Sequence, residues 1–229
     1  GSGKTIVSLL GAINTINSGF QVAFMAPTEI LARQHFKLAK KIFPSLINIE
    51  LISGKSEYKE KKEILKKLEN NKIDIIFGTH AIFQKKVIFK KLGLIIIDEQ
   101  HKFGVNQRKK LSDKGGNDCD VLLMTATPIP RTLTMTIYGD MDLSIIREKP
   151  AARKPIKTYS KLETKIDDVL MFIKKQIELN NQVFWVCPLI KESKKVDHTS
   201  AVKKFEYLSK AFPNNVGLLH GKTNIEDKE

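Results

Sequence analysis

Short apolar runs alternate with longer amphipathic stretches along the first part of the chain. Runs rich in Ile, Val and Phe predict buried strands at 21–27, 47–53, 72–79, 92–99 and 119–127. Apolar residues spaced three and four apart predict helices after Lys4 and over 29–43 and 57–70. Because strand and helix alternation builds parallel sheets, the pattern predicts an α/β fold, with a doubly wound parallel sheet and helices on both faces.

The pattern changes at "REKPAARKPIKT", which is rich in Pro, Ala and charge. Positions 148–158 therefore predict a linker between a first domain at 1–147 and a second domain at 159–229. In the second domain we expect helices at 164–179 and 199–211, and strands in "QVFWVCPLI" and "NVGLLHG". Since so few strands are predicted there, only the beginning of this domain is expected.

The composition, with 41% hydrophobic and 28% charged residues, is typical of a globular protein. The 39 Lys and Arg residues against 25 Asp and Glu give a net charge of +14, which favours a polyanionic partner. Solvated mixed-charge helix faces and a general bias toward Lys are the alternative. No apolar run reaches the roughly 20 residues that span a bilayer, so no membrane association is expected. Cys119 and Cys187 lack metal-site spacing, which favours a reducing, cytoplasmic location.

The stretch "GSGKT" matches the end of a phosphate-binding loop. The backbone of Gly1, Ser2 and Gly3 could approach phosphate oxygens closely, at the start of a helix whose dipole attracts anions. Lys4 would then reach the β and γ phosphates of ATP, and the Thr5 hydroxyl would bind Mg²⁺. A flexible Gly-Ser-Gly start is the alternative, so this motif needs a partner elsewhere in the chain.

The stretch "LGLIIIDEQHKFG" supplies that partner, because an apolar strand that ends in Asp-Glu is the second nucleotide motif of such enzymes. Asp98 would hold Mg²⁺ opposite Thr5. Glu99 would orient and deprotonate the attacking water, and His101 would sense the γ-phosphate region. A solvated turn and a surface histidine are the alternative, but the two motifs together are far more specific than either alone.

Several segments stand in the order found in superfamily 2 helicases: "GSGKT", "APTEILARQH", "GTHAIFQ", "IIIDEQHKFGVNQR" and "MTATPIPRTL". The chain most resembles the RecG family of branch-migration helicases, with the transcription-repair coupling factor Mfd as the nearest alternative. Lys102 departs from the Arg that is usual there in RecG proteins. The resemblance implies two RecA-like domains in an ATP-dependent DNA helicase or translocase. Its substrate would be branched DNA, such as stalled forks and Holliday junctions, in recombination and repair.

The resemblance also implies roles for residues at the ends of the predicted strands. Those expected to contact the nucleic acid backbone, without reading sequence, are Pro27, Thr28, Arg33, Ser53, Gly54, Gly78 and Thr79. Those expected to couple the ATP site to the DNA site are Thr125, Ala126 and Thr127. Taken one at a time, several of these residues fit an ordinary strand end or helix cap equally well. His80 and Trp185 are more typical of structural positions.

RecG proteins also carry a wedge domain, an adenine-reading motif and arginine fingers, and this sequence has no counterpart to them. We therefore expect an internal segment of a monomeric helicase that is inactive when isolated. Two other interpretations stay open. One is a nucleotide- and DNA-binding module without turnover, and the other is an unrelated phosphate-loop enzyme such as a small-molecule kinase.

Overall fold

The computed structural model describes residues 2–54, 58–84, 86–99, 119–126, 142–148, 155–187 and 194–220, with the backbone alone for 194–200. The chain divides into two compact units, Gly1–Arg153 and Lys154–Glu229. The division falls inside the stretch 148–158 that the sequence predicts as a linker.

The described strands of the first unit form one sheet in the order β2-β3-β1-β4-β5. Their bounds are β1 (Gln21–Met25), β2 (Ile49–Ile52), β3 (Ile75–Gly78), β4 (Leu92–Ile97) and β5 (Asp120–Leu123). Every neighbouring pair is parallel, which confirms the predicted parallel sheet. All residues of β1, β3 and β4 are buried, as expected where both faces of a sheet are covered.

Helices cover both faces of this sheet, as predicted. They are α1 (Lys4–Asn17), α2 (Glu29–Ile42) and α3 (Tyr58–Glu69), with a short 3-10 helix at His80–Phe83. One core cluster joins Leu9 of α1 and Ala39 of α2 to Phe24 of β1. The other joins Leu68 of α3 to Met25 of β1. Since alternate side chains of a strand point to opposite faces, β1 is buried between two helical layers.

Local sequence sets where these helices begin and end. The Thr28 side chain caps α2 by accepting a hydrogen bond from the Leu31 N–H at 3.3 Å. Phe43, directly after α2, is extended because Pro44 follows it. After α1, Gly19 takes a φ of +83°, a left-handed conformation that ends helices.

The second unit contains a 3-10 helix at Glu163–Lys165, then α4 (Ile166–Glu178) and α5 (Lys194–Ala211). Both helix predictions for this unit are confirmed. The strand predictions are wrong for the described residues 182–187 and 215–220, which form no strand. A strand needs a neighbour to complete its backbone hydrogen bonds, and the described part of this unit offers none. Phe184 and Val186 are consequently exposed at 79% and 82%.

No helix in the described ranges is long and apolar enough to cross a membrane.

Candidate nucleotide and nucleic acid site

The five described strands of the first unit end in one row across the sheet. The register pairs the last residues in the order Ile52, Gly78, Met25, Ile97 and Leu123. The parallel strands therefore bring the polar stretches that follow them to one edge, where α/β proteins bind ligands. These stretches are 27–28, 53–54, 79–80, 98–99 and 125–126.

Hydrogen bonds fix the backbone beyond the ends of the central strands. The Asp98 N–H donates to the Met25 carbonyl at 2.9 Å, and the Met124 N–H donates to the Ile97 carbonyl at 2.8 Å. The backbone of Asp98 is therefore held by a neighbouring strand.

The phosphate-loop residues stand at the start of α1. Gly3 precedes the helix with a φ of +89°, which glycine adopts without steric cost. Its carbonyl accepts hydrogen bonds from Ile6 N–H at 3.0 Å and Val7 N–H at 3.2 Å. Lys4 and Thr5 consequently occupy the first turn, where the backbone N–H groups and the helix dipole favour an anion. Their side chains, like that of Ser2 before them, are partly buried.

Asp98 is the carboxylate at the end of β4, and it is 9% exposed. Its Oδ2 lies 2.9 Å from His35 Nε2, and its Oδ1 accepts a hydrogen bond from the Glu99 N–H at 3.0 Å. A carboxylate oxygen has two lone pairs, so each oxygen keeps a position for a cation. One carboxylate, a hydroxyl such as that of Thr5, and phosphate oxygens make the kind of donor set that Mg²⁺ accepts. In their donor chemistry, the residues present therefore fit a magnesium ion.

Glu99 has a φ of +50°. The other non-glycine residues with a positive φ in the described ranges are all Asn, which tolerates the left-handed region: Asn71, Asn180 and Asn214. For Glu the same conformation costs on the order of 1–3 kcal/mol, and such strain concentrates at functional sites. This backbone feature supports the role that the sequence predicts for Glu99.

Glu29 joins three of the residues predicted to contact nucleic acid. Its Oε1 accepts a hydrogen bond from Ser53 Oγ at 2.6 Å, and Arg33 Nη2 donates to the same oxygen at 3.0 Å. Thr28, the cap of α2, is the preceding residue. The first turn of α2 and the loop after β2 are thereby tied together by one carboxylate.

The remaining predicted contact residues occupy the same edge in different ways. Pro27 and Thr79 are partly buried, and Gly54 is exposed, with its carbonyl accepting a hydrogen bond from Lys61 Nζ at 2.8 Å. Gly78 is buried, and a Cβ there would lie 2.7 Å from the Ile52 carbonyl oxygen. The glycine at 78 therefore has a packing reason of its own, independent of any phosphate.

The predicted coupling residues follow β5. Thr125 is partly buried and Ala126 is exposed, directly after the buried Met124. Other residues singled out in the sequence lie outside the described residues: Gly1, His101, Lys102 and Thr127.

Sequence reasoning missed His35, Glu29 and Gln21. The spacing of His35 with Ala32 and Ala39 places it on the buried face of α2, and that spacing was the available signal. Gln21 is a polar residue at the start of an apolar strand, and it is 1% exposed. Its Nε2 donates to the carbonyls of Leu68 and Ile73, both at 2.9 Å, and its Oε1 accepts from two backbone N–H groups, at 2.8 and 3.1 Å.

Both cysteines are free thiols. Burial, and secondly the nearby charge of Asp120, raises the pKa of the Cys119 thiol to about 11. Because only the thiolate is a strong nucleophile or metal ligand, the raised pKa makes Cys119 less reactive near neutral pH than an ordinary thiol. The described residues contain no group of three or more His, Cys, Asp or Glu side chains that could hold a metal ion.

Comparison with known proteins shows to which family the chain belongs. The model of the DEAD/DEAH box helicase family matches residues 1–136. The chain belongs to the DEAD/DEAH box helicase family. Over its whole length this DEAD/DEAH box chain is 47% identical to the ATP-dependent DNA helicase RecG of Bacillus subtilis, and it spans 34% of that protein. The resemblance to RecG is therefore confirmed, although the chain covers only about a third of the length of that relative.

Comparison with solved structures supports the resemblance to RecG and the RecA-like fold. The structure of RecG bound to a three-way DNA junction is 40% identical, has a TM-score of 0.72, and matches over 92% of this chain and 27% of that one. The structure of S. cerevisiae Dbp5 L327V bound to RNA and ADP BeF3 is 21% identical with a TM-score of 0.68, over 99% of this chain and 58% of that one. At that identity the second likeness shows the fold alone. The predicted RecA-like fold is confirmed.

Proposed function

We propose that the full-length gene product is an ATP-dependent DNA helicase or translocase that acts on branched DNA in recombination and repair. The observation that carries this proposal is the row of strand ends, which sets Asp98 and Glu99 beside the loops after the other four strands. The name of the B. subtilis relative and the junction in the RecG structure support branched DNA as the substrate.

The proposed chemistry is hydrolysis of ATP by in-line attack of water on the γ-phosphate. Lys4, at the start of α1, holds the β and γ phosphates with a fixed positive charge. Thr5 and Asp98 would bind Mg²⁺, which when present neutralises phosphate charge. Glu99 orients the water and accepts its proton, and a carboxylate beside the metal ligand at the end of β4 suits that task. His101 belongs to the same proposal as the sensor of the γ-phosphate.

The proposed grip on DNA is through the phosphate backbone. Glu29 holds Arg33 and Ser53 in one arrangement at the sheet edge. Thr28 is the residue before Glu29, and its hydroxyl accepts a hydrogen bond from the Leu31 N–H. Two nitrogens of the Arg33 guanidinium lie within 3.4 Å of Glu29, and Arg has five N–H donors, so donors remain for phosphate oxygens. The net charge of +14 supports a polyanionic partner. The stretch 125–127 would couple these DNA contacts to ATP hydrolysis. The protein would act as a monomer.

The test compares ATP hydrolysis by the full-length gene product with no DNA, with linear duplex and with a three-way junction. We expect the junction to stimulate phosphate release most. Glu99→Gln should slow hydrolysis roughly 100-fold or more while nucleotide binding persists, because the positioned base is lost but the phosphate contacts remain. The matched control is Glu69→Gln, an exposed carboxylate at the end of α3.

Three results would count against the proposal. Hydrolysis without any response to DNA would favour a small-molecule enzyme. Binding of DNA and nucleotide without turnover would favour a binding module. Equal stimulation by linear duplex and junction would favour a translocase of the Mfd kind.

A further inference from the structure

His35 and Asp98 form a buried polar contact between a helix and a strand end. Their side chains are 11% and 12% exposed, and His35 Nε2 lies 2.9 Å from Asp98 Oδ2. Since a carboxylate oxygen can only accept, the imidazole Nε2–H is the donor. With the Glu99 N–H on Oδ1, both oxygens of Asp98 are held, and the plane of the carboxylate is fixed. The Glu99 N–H comes from the next residue along the chain, whereas the His35 contact comes from a different element, α2.

The ring of His35 is itself held in place by aromatic packing. Its centroid lies 4.8 Å from that of Phe24 in β1, and Phe24 stacks on Phe77 of β3 at 5.0 Å. A ring packed in this way cannot turn freely, so Nε2 stays directed at Asp98. The orientation of the carboxylate therefore depends on where α2 lies over the sheet.

The same helix carries the proposed DNA contacts in its first turn. Glu29, in the first turn, accepts hydrogen bonds from Ser53 and Arg33. His35 lies six residues further along α2, about 9 Å at 1.5 Å per residue. A helix of this length moves as a rigid element, so a shift of its first turn also displaces the donor on Asp98.

We propose that His35 is a positioning residue, which orients Asp98 for the metal ion and links metal binding to occupation of the DNA site through α2. This proposal rests on the proposed function, because it takes Asp98 as the metal ligand and the first turn of α2 as a DNA contact. Partners that orient a metal ligand commonly change metal affinity 10- to 100-fold when they are replaced.

The experiment uses two amide variants that differ mainly in reach. In His35→Gln the amide N–H extends as far as Nε2 does and can still donate to Oδ2. In His35→Asn the amide stops one methylene short, so the donor is lost while polarity is kept. Lys41→Asn, at an exposed position in the last turn of α2, is the matched control. Binding of Mn²⁺ in the presence of a non-hydrolysable ATP analogue is followed by electron paramagnetic resonance, with and without junction DNA, on the full-length gene product.

We expect His35→Asn to weaken Mn²⁺ binding about 10-fold or more, and His35→Gln to restore it. In the wild type, junction DNA should tighten Mn²⁺ binding, and His35→Asn should remove that response because the link through α2 is broken. Urea midpoints of the two variants should agree, since both replace the ring by an amide.

Unchanged Mn²⁺ affinity in His35→Asn would overturn the positioning role, and so would equal weakening by Asn and Gln, which indicates lost packing alone. An equal response to DNA in wild type and His35→Asn would overturn the link through α2. If Mn²⁺ affinity depends on His35 but DNA never stimulates ATP hydrolysis, the proposed function fails while the positioning role stands. Absence of any Mn²⁺ binding in the wild type would overturn both.

Discussion

Replacing Gly78 by Ala should destabilise the first unit, because the last residue of β3 has no room for a side chain. A Cβ there would lie 2.7 Å from both Cγ2 and the carbonyl oxygen of Ile52, and 3.0 Å from Cγ1 of Ile82. Carbon–oxygen contacts ordinarily begin near 3.3 Å, so β2 would have to retreat by roughly 0.6 Å. The Ile52 side chain can rotate, but its carbonyl cannot move without disturbing the pairing of Ile52 with Gly78.

The magnitude follows from two costs. Overpacking a core costs about 1–3 kcal/mol, and a weakened backbone hydrogen bond adds about 1 kcal/mol. We therefore expect Gly78→Ala to lower the free energy of unfolding by about 2–4 kcal/mol. The matched control is Gly11→Ala in α1, where a Cβ would meet nothing within 4 Å. There the better helix propensity of Ala should raise the free energy of unfolding by up to about 1 kcal/mol.

Urea unfolding of the 229-residue chain, followed by far-ultraviolet circular dichroism, distinguishes the two variants. With a denaturant slope of about 2 kcal/mol per M, the Gly78→Ala midpoint should fall by roughly 1–2 M, and the Gly11→Ala midpoint should rise slightly. Trp185 is the single Trp and lies in the second unit, so its fluorescence monitors that unit separately. A Gly78→Ala midpoint at or above wild type would refute the argument from close approach. So would a shift of both variants in the same direction.

Three further predictions address a buried amide, a partly buried thiol and the proposed contacts with DNA. Gln21→Leu should lower the free energy of unfolding by about 3 kcal/mol or more, because it removes the side-chain partner of two carbonyls and two N–H groups, of which the Leu68 carbonyl keeps the Asn71 N–H. The exposed control Gln34→Leu should change the urea midpoint little. With a pKa of about 11 in place of 9.0, the Cys119 thiol should react with iodoacetamide at pH 8 about 100-fold more slowly than the same thiol in the urea-unfolded chain. The rate in the folded chain should rise about tenfold per pH unit up to pH 11. Mass spectrometry of the Cys119 peptide measures these rates, and equal rates in the folded and unfolded chains would contradict the partial burial of the thiol. Binding of the full-length gene product to two unrelated duplexes should weaken steeply and equally with salt, because phosphate contacts release counterions, and a flat salt dependence or a strong preference for one duplex would argue against backbone recognition.

The alternation of apolar runs and amphipathic stretches was enough to predict the first unit. All five strands and the helices between them appear within a few residues of their predicted bounds. For β1, β3 and β4 the reason is that a strand buried on both faces must be apolar throughout. Parallel pairing then explains why motif residues that are far apart in sequence share one edge of the sheet. The stretches ending in Lys4-Thr5 and Asp98-Glu99 could likewise be recognised from residue type and spacing, since phosphate and metal chemistry restrict both.

Residue type and spacing could not reveal which side chains meet. His35 and Asp98 are 63 positions apart, and Glu29 and Ser53 are 24 apart, so each contact exists only once α2 lies across the sheet. The close approach at Gly78 likewise depends on the registered pairing of β2 with β3.

The second unit shows the same difference between what local sequence predicts and what the tertiary structure decides. Its helices formed as predicted, because a helix completes its backbone hydrogen bonds within its own segment. Its predicted strands did not form over 182–187 and 215–220, because a strand completes its hydrogen bonds only against a neighbour. Local pattern thus determined the helices of both units, which complete their own hydrogen bonds. Tertiary structure decided which predicted strands find a neighbour and which side chains from distant parts of the chain meet.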